Sequence, residues 1–197
     1  MSITLRKEVL MKYPNSTFIE TGTFKGGGVR LALECGFPRI HSIEIDPILH
    51  EQCDREFQKY DNVFIHLGDS IQLLPSILQF CPNPVTFWLD AHIQESCVLG
   101  EFPVPLIQEL MLLCKYRQGI NDTVLVDDRR LFGQGSWWKG TNEIDIIQLL
   151  EQAYPNNKFT TEDSNAAEKD ILVCYYAPES LEEFIQTNQN NPAYGEE

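Results

Sequence analysis

The spacing of apolar residues changes repeatedly along the chain, and each change marks an element. Residues 4–13 space their apolar side chains as an amphipathic helix does, and the pattern stops at Pro14. Thr17-Phe18-Ile19-Glu20 is a short strand-like run that enters the glycine-rich loop Thr21-Gly22-Thr23-Phe24-Lys25-Gly26-Gly27-Gly28. Residues 29–35 read as a helix closed by Gly36 and Pro38. The alternation then repeats. Strands are predicted over 39–45, 62–67, 85–89 and 123–126, with helices over 48–60, 71–80, 106–116 and 143–153. Asp46-Pro47 gives the helix over 48–60 a capping carboxylate and a first-turn proline.

The end of the chain breaks this rhythm. Residues 159–161 and 170–176 read as two strands with only a short polar loop between them. No crossover helix fits there, so the two should pair antiparallel. The predicted fold is therefore α/β: a doubly wound, Rossmann-like sheet, mostly parallel, in three α/β/α layers with a C-terminal antiparallel hairpin. No repeat or linker divides the chain. Residues 1–187 are expected to form a single domain with an N-terminal helix over 1–14, and the polar residues 188–197 a frayed tail.

Composition narrows the partners. The chain has 197 residues, 43% hydrophobic and 22% charged, which suits one globular domain. Its net charge is −14. Such a surface repels nucleic-acid phosphates and anionic lipid, so neither nucleic acid nor a membrane is an expected partner, and a small molecule is. No apolar run approaches the ~18 residues of a membrane span. The opening Met1-Ser2-Ile3-Thr4-Leu5-Arg6-Lys7-Glu8 lacks the apolar core of a secretory signal. Six scattered cysteines without a C-x-x-C pair argue against a zinc site. Free thiols in a reducing cytoplasm are expected.

Chemistry in an open α/β sheet gathers beyond the carboxyl ends of its strands. Those ends carry Glu20, then Glu44 and Asp46, then Asp69, then Asp90 with His92, then Asp127 with Asp128. Helix capping explains one or two such acids, but five consecutive ends exceed what capping supplies. The glycine loop is not a dinucleotide fingerprint, because Phe24 stands where the second glycine would admit a pyrophosphate. A carboxylate at Glu20 suits a cationic group such as an amino-acid ammonium. Glu44 follows 24 residues later, near the spacing at which an acid meets ribose hydroxyls. Asp69 is placed to accept from an adenine amino group. A ligand with ribose, adenine and ammonium but no phosphate describes S-adenosylmethionine better than NAD or ATP.

On Glu20-Thr21-Gly22-Thr23-Phe24-Lys25-Gly26, Ser42-Ile43-Glu44-Ile45-Asp46 and Gly68-Asp69-Ser70, the chain resembles the class I S-adenosylmethionine-dependent methyltransferases. The terminal strand pair resembles that family's sixth and seventh strands. The resemblance implies that Glu20, Gly22, Thr23, Gly26, Glu44, Asp69, Ser70 and Asp90 hold the cofactor. Asp90, Asp127 and Asp128 form a hard oxygen set suited to Mg²⁺ or Mn²⁺. The set resembles that of metal-dependent O-methyltransferases acting on catechols and macrolide sugars. The plainer alternative is a capped turn in which Asp127 and Asp128 pair with Arg129 and Arg130.

His92, with Asp90 beside it, is the candidate base. Trp137 and Trp138 lie in a glycine-rich loop and either close over a sugar or aromatic acceptor or pack on their own domain. His41, His50 and His66 fall inside predicted elements and read as structural. Asp90-Ala91-His92-Ile93 lacks the prolines of amide- and base-methylating enzymes, and Cys81-Pro82 reverses the order used on cytosine carbon. The short chain, with no added recognition domain, fits a small acceptor. The expected function is O-methyl transfer to a hydroxyl of a small molecule, with a sugar or glycosylated metabolite first. A metal-independent transferase and a non-catalytic cofactor- or sugar-binding module are the alternatives.

Overall fold

The computed structural model describes residues 3–81, 84–92 and 100–178. The tail over 188–197 and Cys97 lie outside the described residues. Seven strands form one sheet: β1 (Thr17–Thr21), β2 (Arg39–Glu44), β3 (Val63–Leu67), β4 (Val85–Leu89), β5 (Thr123–Val126), β6 (Lys158–Glu162) and β7 (Ile171–Tyr175). The order is β3-β2-β1-β4-β5-β7-β6. The first five strands are parallel. β7 runs antiparallel to both β5 and β6, as the missing crossover helix requires.

Among the described residues, six α-helices cover the two faces. They are α1 (Lys7–Leu10), α2 (Gly27–Glu34), α3 (Pro47–Phe57), α4 (Ser70–Phe80), α5 (Leu106–Tyr116) and α6 (Glu143–Ala153). Successive strand residues point to opposite faces, so each central strand must be apolar on both. Ile19, Phe87 and Val124 pack with Leu74, Leu110 and Leu150 of α4, α5 and α6. Phe18, Trp88 and Leu125 pack with Leu10, Val29 and Phe57 of α1, α2 and α3. The result is the expected three-layer, Rossmann-like architecture.

The N-terminal helix is shorter than its sequence pattern. Only Lys7–Leu10 is helical. The preceding residues are held extended, because Asn165 donates from its backbone to Thr4 O at 2.8 Å and from Nδ2 to Ile3 O at 3.1 Å. These tertiary bonds use the carbonyls of the first turn that the pattern predicts.

One buried ion pair ties the far end of the sheet. Arg117, just past α5, donates from Nε and Nη2 to Asp122 at 2.8 and 2.6 Å. Asp122 also accepts from the Val85 backbone at 2.8 Å and from the Tyr154 hydroxyl at 3.1 Å. Among the described residues, no helix is long and apolar enough to cross a membrane.

Candidate active site

The strand order reverses between β1 and β4, and a cavity of about 730 Å³ opens at the carboxyl ends there. Its volume falls within the usual range for small-molecule sites, about 300–1,000 Å³. Glu20, Gly22, Thr23, Glu44, Asp69, Ser70, Asp90, His92, Asp127 and Asp128 all line it. Of the residues the sequence nominates, Gly26 does not. It adopts a left-handed φ of 73° before α2, and a Cβ there would lie 2.5 Å from the Phe57 ring. Gly27 and Gly28 form the wall in its place.

The glycine loop has two tight points. Gly22 has φ +87°, and an added Cβ would fall 2.8 Å from Asp90 O. At Gly28 a Cβ would stand 1.7 Å from Glu20 Oε1. The Glu20 carboxyl thus lies against the first turn of α2, in space that only glycine leaves. Phe24 takes a φ of 50°, a left-handed conformation unusual for a bulky residue. It is held there by Glu44, whose Oε2 accepts from the Phe24 amide at 2.6 Å while Oε1 accepts from the Asp46 amide at 2.9 Å.

Burial dominates the electrostatics. Glu20 accepts from Ser42 Oγ at 2.6 Å, and that hydroxyl lies 2.5 Å from Thr23 Oγ1. Burial nonetheless pushes the Glu20 carboxyl up to about 8, with the charges of Asp90 and Glu44 adding to the rise. Burial also raises Glu44, against the pull of its amide donors. Asp69 caps α4 by accepting from the Ile71 amide at 2.9 Å.

The acids after β4 and β5 meet around His92. Its Nδ1 lies 3.2 Å from Asp90 O, 3.5 Å from Asp90 Oδ1 and 3.7 Å from Asp128 Oδ2. Burial draws the imidazole's pKa down, but the hydrogen bond and charge of Asp90 and the charge of Asp128 outweigh it, and the net shift is upward. Burial raises Asp127 to about 8, helped by Asp90 and Asp128, although the Thr4 hydroxyl donates to its Oδ2. Asp127 Oδ1 is buried without a partner. Asp128 Oδ1 sits 2.7 Å from Arg130 Nη2 as an ion pair outside hydrogen-bond geometry, and Arg130 also grips Asp170.

Two candidate metal groups result among the described residues: Asp90 with His92 and Asp128, and Asp127 with Asp128 and Asp170. The nominated trio of Asp90, Asp127 and Asp128 is thus divided between two groups that share Asp128.

Several residues fall elsewhere than their motifs suggest. Trp138 packs on His92 and Phe132, with ring centroids 5.9 and 6.0 Å away, and lies behind the site. Neither tryptophan lines the large cavity. Arg129 pairs with Glu143 at 2.8 Å. His41 and His66 form a hydrogen-bonded pair at 2.9 Å near the sheet edge, a structural role. Glu109 and Asp170 escape sequence reasoning because their partners lie far along the chain, whereas the pairing of Arg130 with Asp128 is one the sequence offered. The glycine run did point to Gly28.

Neither a family model nor a curated protein matches the sequence. Solved structures do match in shape. An O-methyltransferase from Bacillus cereus, in complex with S-adenosylhomocysteine, is 14% identical over 86% of this chain and 78% of its own, with a TM-score of 0.61. A proposed rRNA methylase from Clostridium thermocellum is 14% identical over 86% and 94%, with a TM-score of 0.58. The O-methyltransferase TomG from Streptomyces achromogenes, involved in tomaymycin synthesis and in complex with S-adenosylmethionine, is 14% identical over 87% and 78%, with a TM-score of 0.57. The chain has the Rossmann-like fold of the class I S-adenosylmethionine-dependent methyltransferases.

Proposed function

We propose that this protein is an S-adenosylmethionine-dependent O-methyltransferase acting on a small hydroxyl-bearing molecule. The observation that carries this reading is the single cavity wall shared by Glu20, Glu44 and Asp69 on one side and by Asp90, His92 and Asp128 on the other. Glu20 suits the cofactor's ammonium, Glu44 the ribose hydroxyls and Asp69 the adenine amino group. When bound, the cofactor supplies an electrophilic methyl group on its sulfonium.

On the acceptor side, His92 takes the hydroxyl proton. A proton on Nδ1, facing Asp90 O, leaves Nε2 as the accepting atom. Asp90 and Asp128 orient the ring and stabilise its charged form. The walls hold the reacting oxygen in place, and positioning supplies much of the rate gain. The net charge of −14 favours a small acceptor over nucleic acid or a membrane surface. A sugar is the first acceptor to try, on resemblance alone. The free thiols of Cys35, Cys53, Cys81, Cys114 and Cys174 suit a reducing, cytoplasmic setting.

A divalent cation is favoured by one observation: the unpartnered, buried Asp127 Oδ1 beside Asp90 and Asp128. Carboxylate oxygens of this kind fit Mg²⁺ or Mn²⁺. Asp127 and Asp128, with Asp170 rather than Asp90 as the third acid of their group, would hold the ion, which when bound would lower the pKa of the acceptor hydroxyl. Asp127→Asn separates the cases. With transfer from labelled S-adenosylmethionine to a panel of sugars and phenols as the assay, the variant should lose at least tenfold activity and its Mg²⁺ dependence. S-adenosylhomocysteine affinity should stay within about threefold. Equal loss of cofactor affinity contradicts the metal assignment, and chelator-insensitive turnover by the wild type identifies a metal-independent enzyme.

A further inference from the structure

Glu109 is an acid with no evident reason to be where it is. It sits on α5 within Leu106-Ile107-Gln108-Glu109-Leu110-Met111-Leu112-Leu113, and it is only 1% exposed. No lysine, arginine or histidine contacts its carboxyl group in a salt bridge among the described residues. Ser70 Oγ donates to Oε1 at 2.5 Å, and Thr21 Oγ1 donates to Oε2 at 3.3 Å. Burial raises its pKa to about 7, against the pull of these two hydroxyls. Keeping a carboxyl in such a place opposes stability, since an apolar side chain would suit the core better.

Its two partners explain the placement. Thr21 is the last residue of β1 and leads directly into Gly22 at the cofactor loop. Ser70 is the first residue of α4, and Asp69 is that helix's cap. Asp69 spends Oδ1 on the Ile71 amide at 2.9 Å. Its Oδ2 faces the cavity near Gly100, where an added Cβ would approach it to 3.3 Å. The direction of that free oxygen is set by the first turn of α4, and the first residue of that turn is fastened to Glu109.

We infer that Glu109 is a positioning residue for nucleobase recognition: by holding Ser70 and Thr21 it aims Asp69 at the exocyclic amino group of the cofactor's adenine. This rests on the cofactor reading above and adds to it a residue that touches no ligand. Glu109 also lines a small inner cavity with Asp90, His92, Asp127 and Asp128.

The test compares two ligands that differ at the recognised edge of the base, where the exocyclic amino group becomes a carbonyl and N1 gains a hydrogen. S-inosyl-homocysteine carries a carbonyl where S-adenosylhomocysteine carries the amino group, so it faces Asp69 with an acceptor rather than a donor. Calorimetric titration of the full chain should give at least a tenfold preference for the adenosyl compound. Glu109→Leu, which suits an apolar core, should reduce the preference to less than threefold. Glu109→Gln keeps an acceptor for Ser70 and should retain the wild-type preference.

A merely structural role would weaken both ligands alike and leave the ratio unchanged, which overturns the inference. So does a glutamine variant that loses the preference as fully as leucine, or a wild type that binds both ligands equally. A folded wild type that binds neither ligand removes the cofactor reading itself, and the inference with it.

Discussion

Glu20 and Gly28 act as one unit, eight residues apart, and their fit shapes the glycine-loop end of the cavity. An added Cβ at Gly28 would stand 1.7 Å from Glu20 Oε1, so Gly28→Ala must displace the carboxyl. Overpacking of this kind costs about 1–3 kcal/mol. Thermal denaturation should register that loss, and calorimetry should show S-adenosylhomocysteine affinity reduced at least tenfold. Glu20 also titrates with the fold. Burial lifts its carboxyl from the ordinary 4.5 to about 8. A group raised in this way stabilises the folded state fully below its unfolded pKa and loses that contribution as pH rises through the folded one. Cofactor-free wild type should therefore lose about 3 kcal/mol more than Glu20→Gln between pH 5 and pH 8, read from denaturant unfolding at each pH. Glu20, Glu44 and Asp69 were legible in the sequence because a strand's end is fixed by its own hydrophobic pattern. Glu109 and the Arg130–Asp170 contact were not, because they join residues about 40 positions apart and only the folded chain brings them together.

Elements were legible where burial alone decides them. β4, α5, β5 and α6 begin and end where the apolar spacing places them. The N-terminal helix was overcalled because its first carbonyls bond to Asn165, a tertiary competitor invisible to a local pattern. The α5–β5 connection is held by the Arg117–Asp122 pair, in which both side chains are almost fully buried. Arg117→Met leaves Asp122 charged, buried and without its cation. Breaking such a pair costs about 3–5 kcal/mol, a large part of an ordinary domain's stability. Urea unfolding should show a loss of that size. Asp122→Asn added to Arg117→Met should restore part of it, since the uncompensated charge is then gone.

At the scale of the whole molecule, the sheet order places the turn of direction between β1 and β4, and the acids at five strand ends converge there. Structures of this shape include an O-methyltransferase involved in tomaymycin synthesis and a proposed rRNA methylase. The fold therefore leaves the acceptor open, and the charge and carboxylate-rich cavity of this chain argue for a small one. Of the two readings open for the tryptophan pair, Trp138 follows the packing one and backs His92, because the loop's fold and not its composition decides which way the rings face.

The central claim is that the cavity holds an adenosyl cofactor without phosphates. Calorimetric titration of the protein with S-adenosylhomocysteine, with NAD as the control ligand, tests it most directly. The account predicts one site with affinity in the micromolar range for S-adenosylhomocysteine and no heat of binding for NAD. Binding of NAD, or no binding of S-adenosylhomocysteine by protein shown to be folded, would contradict it.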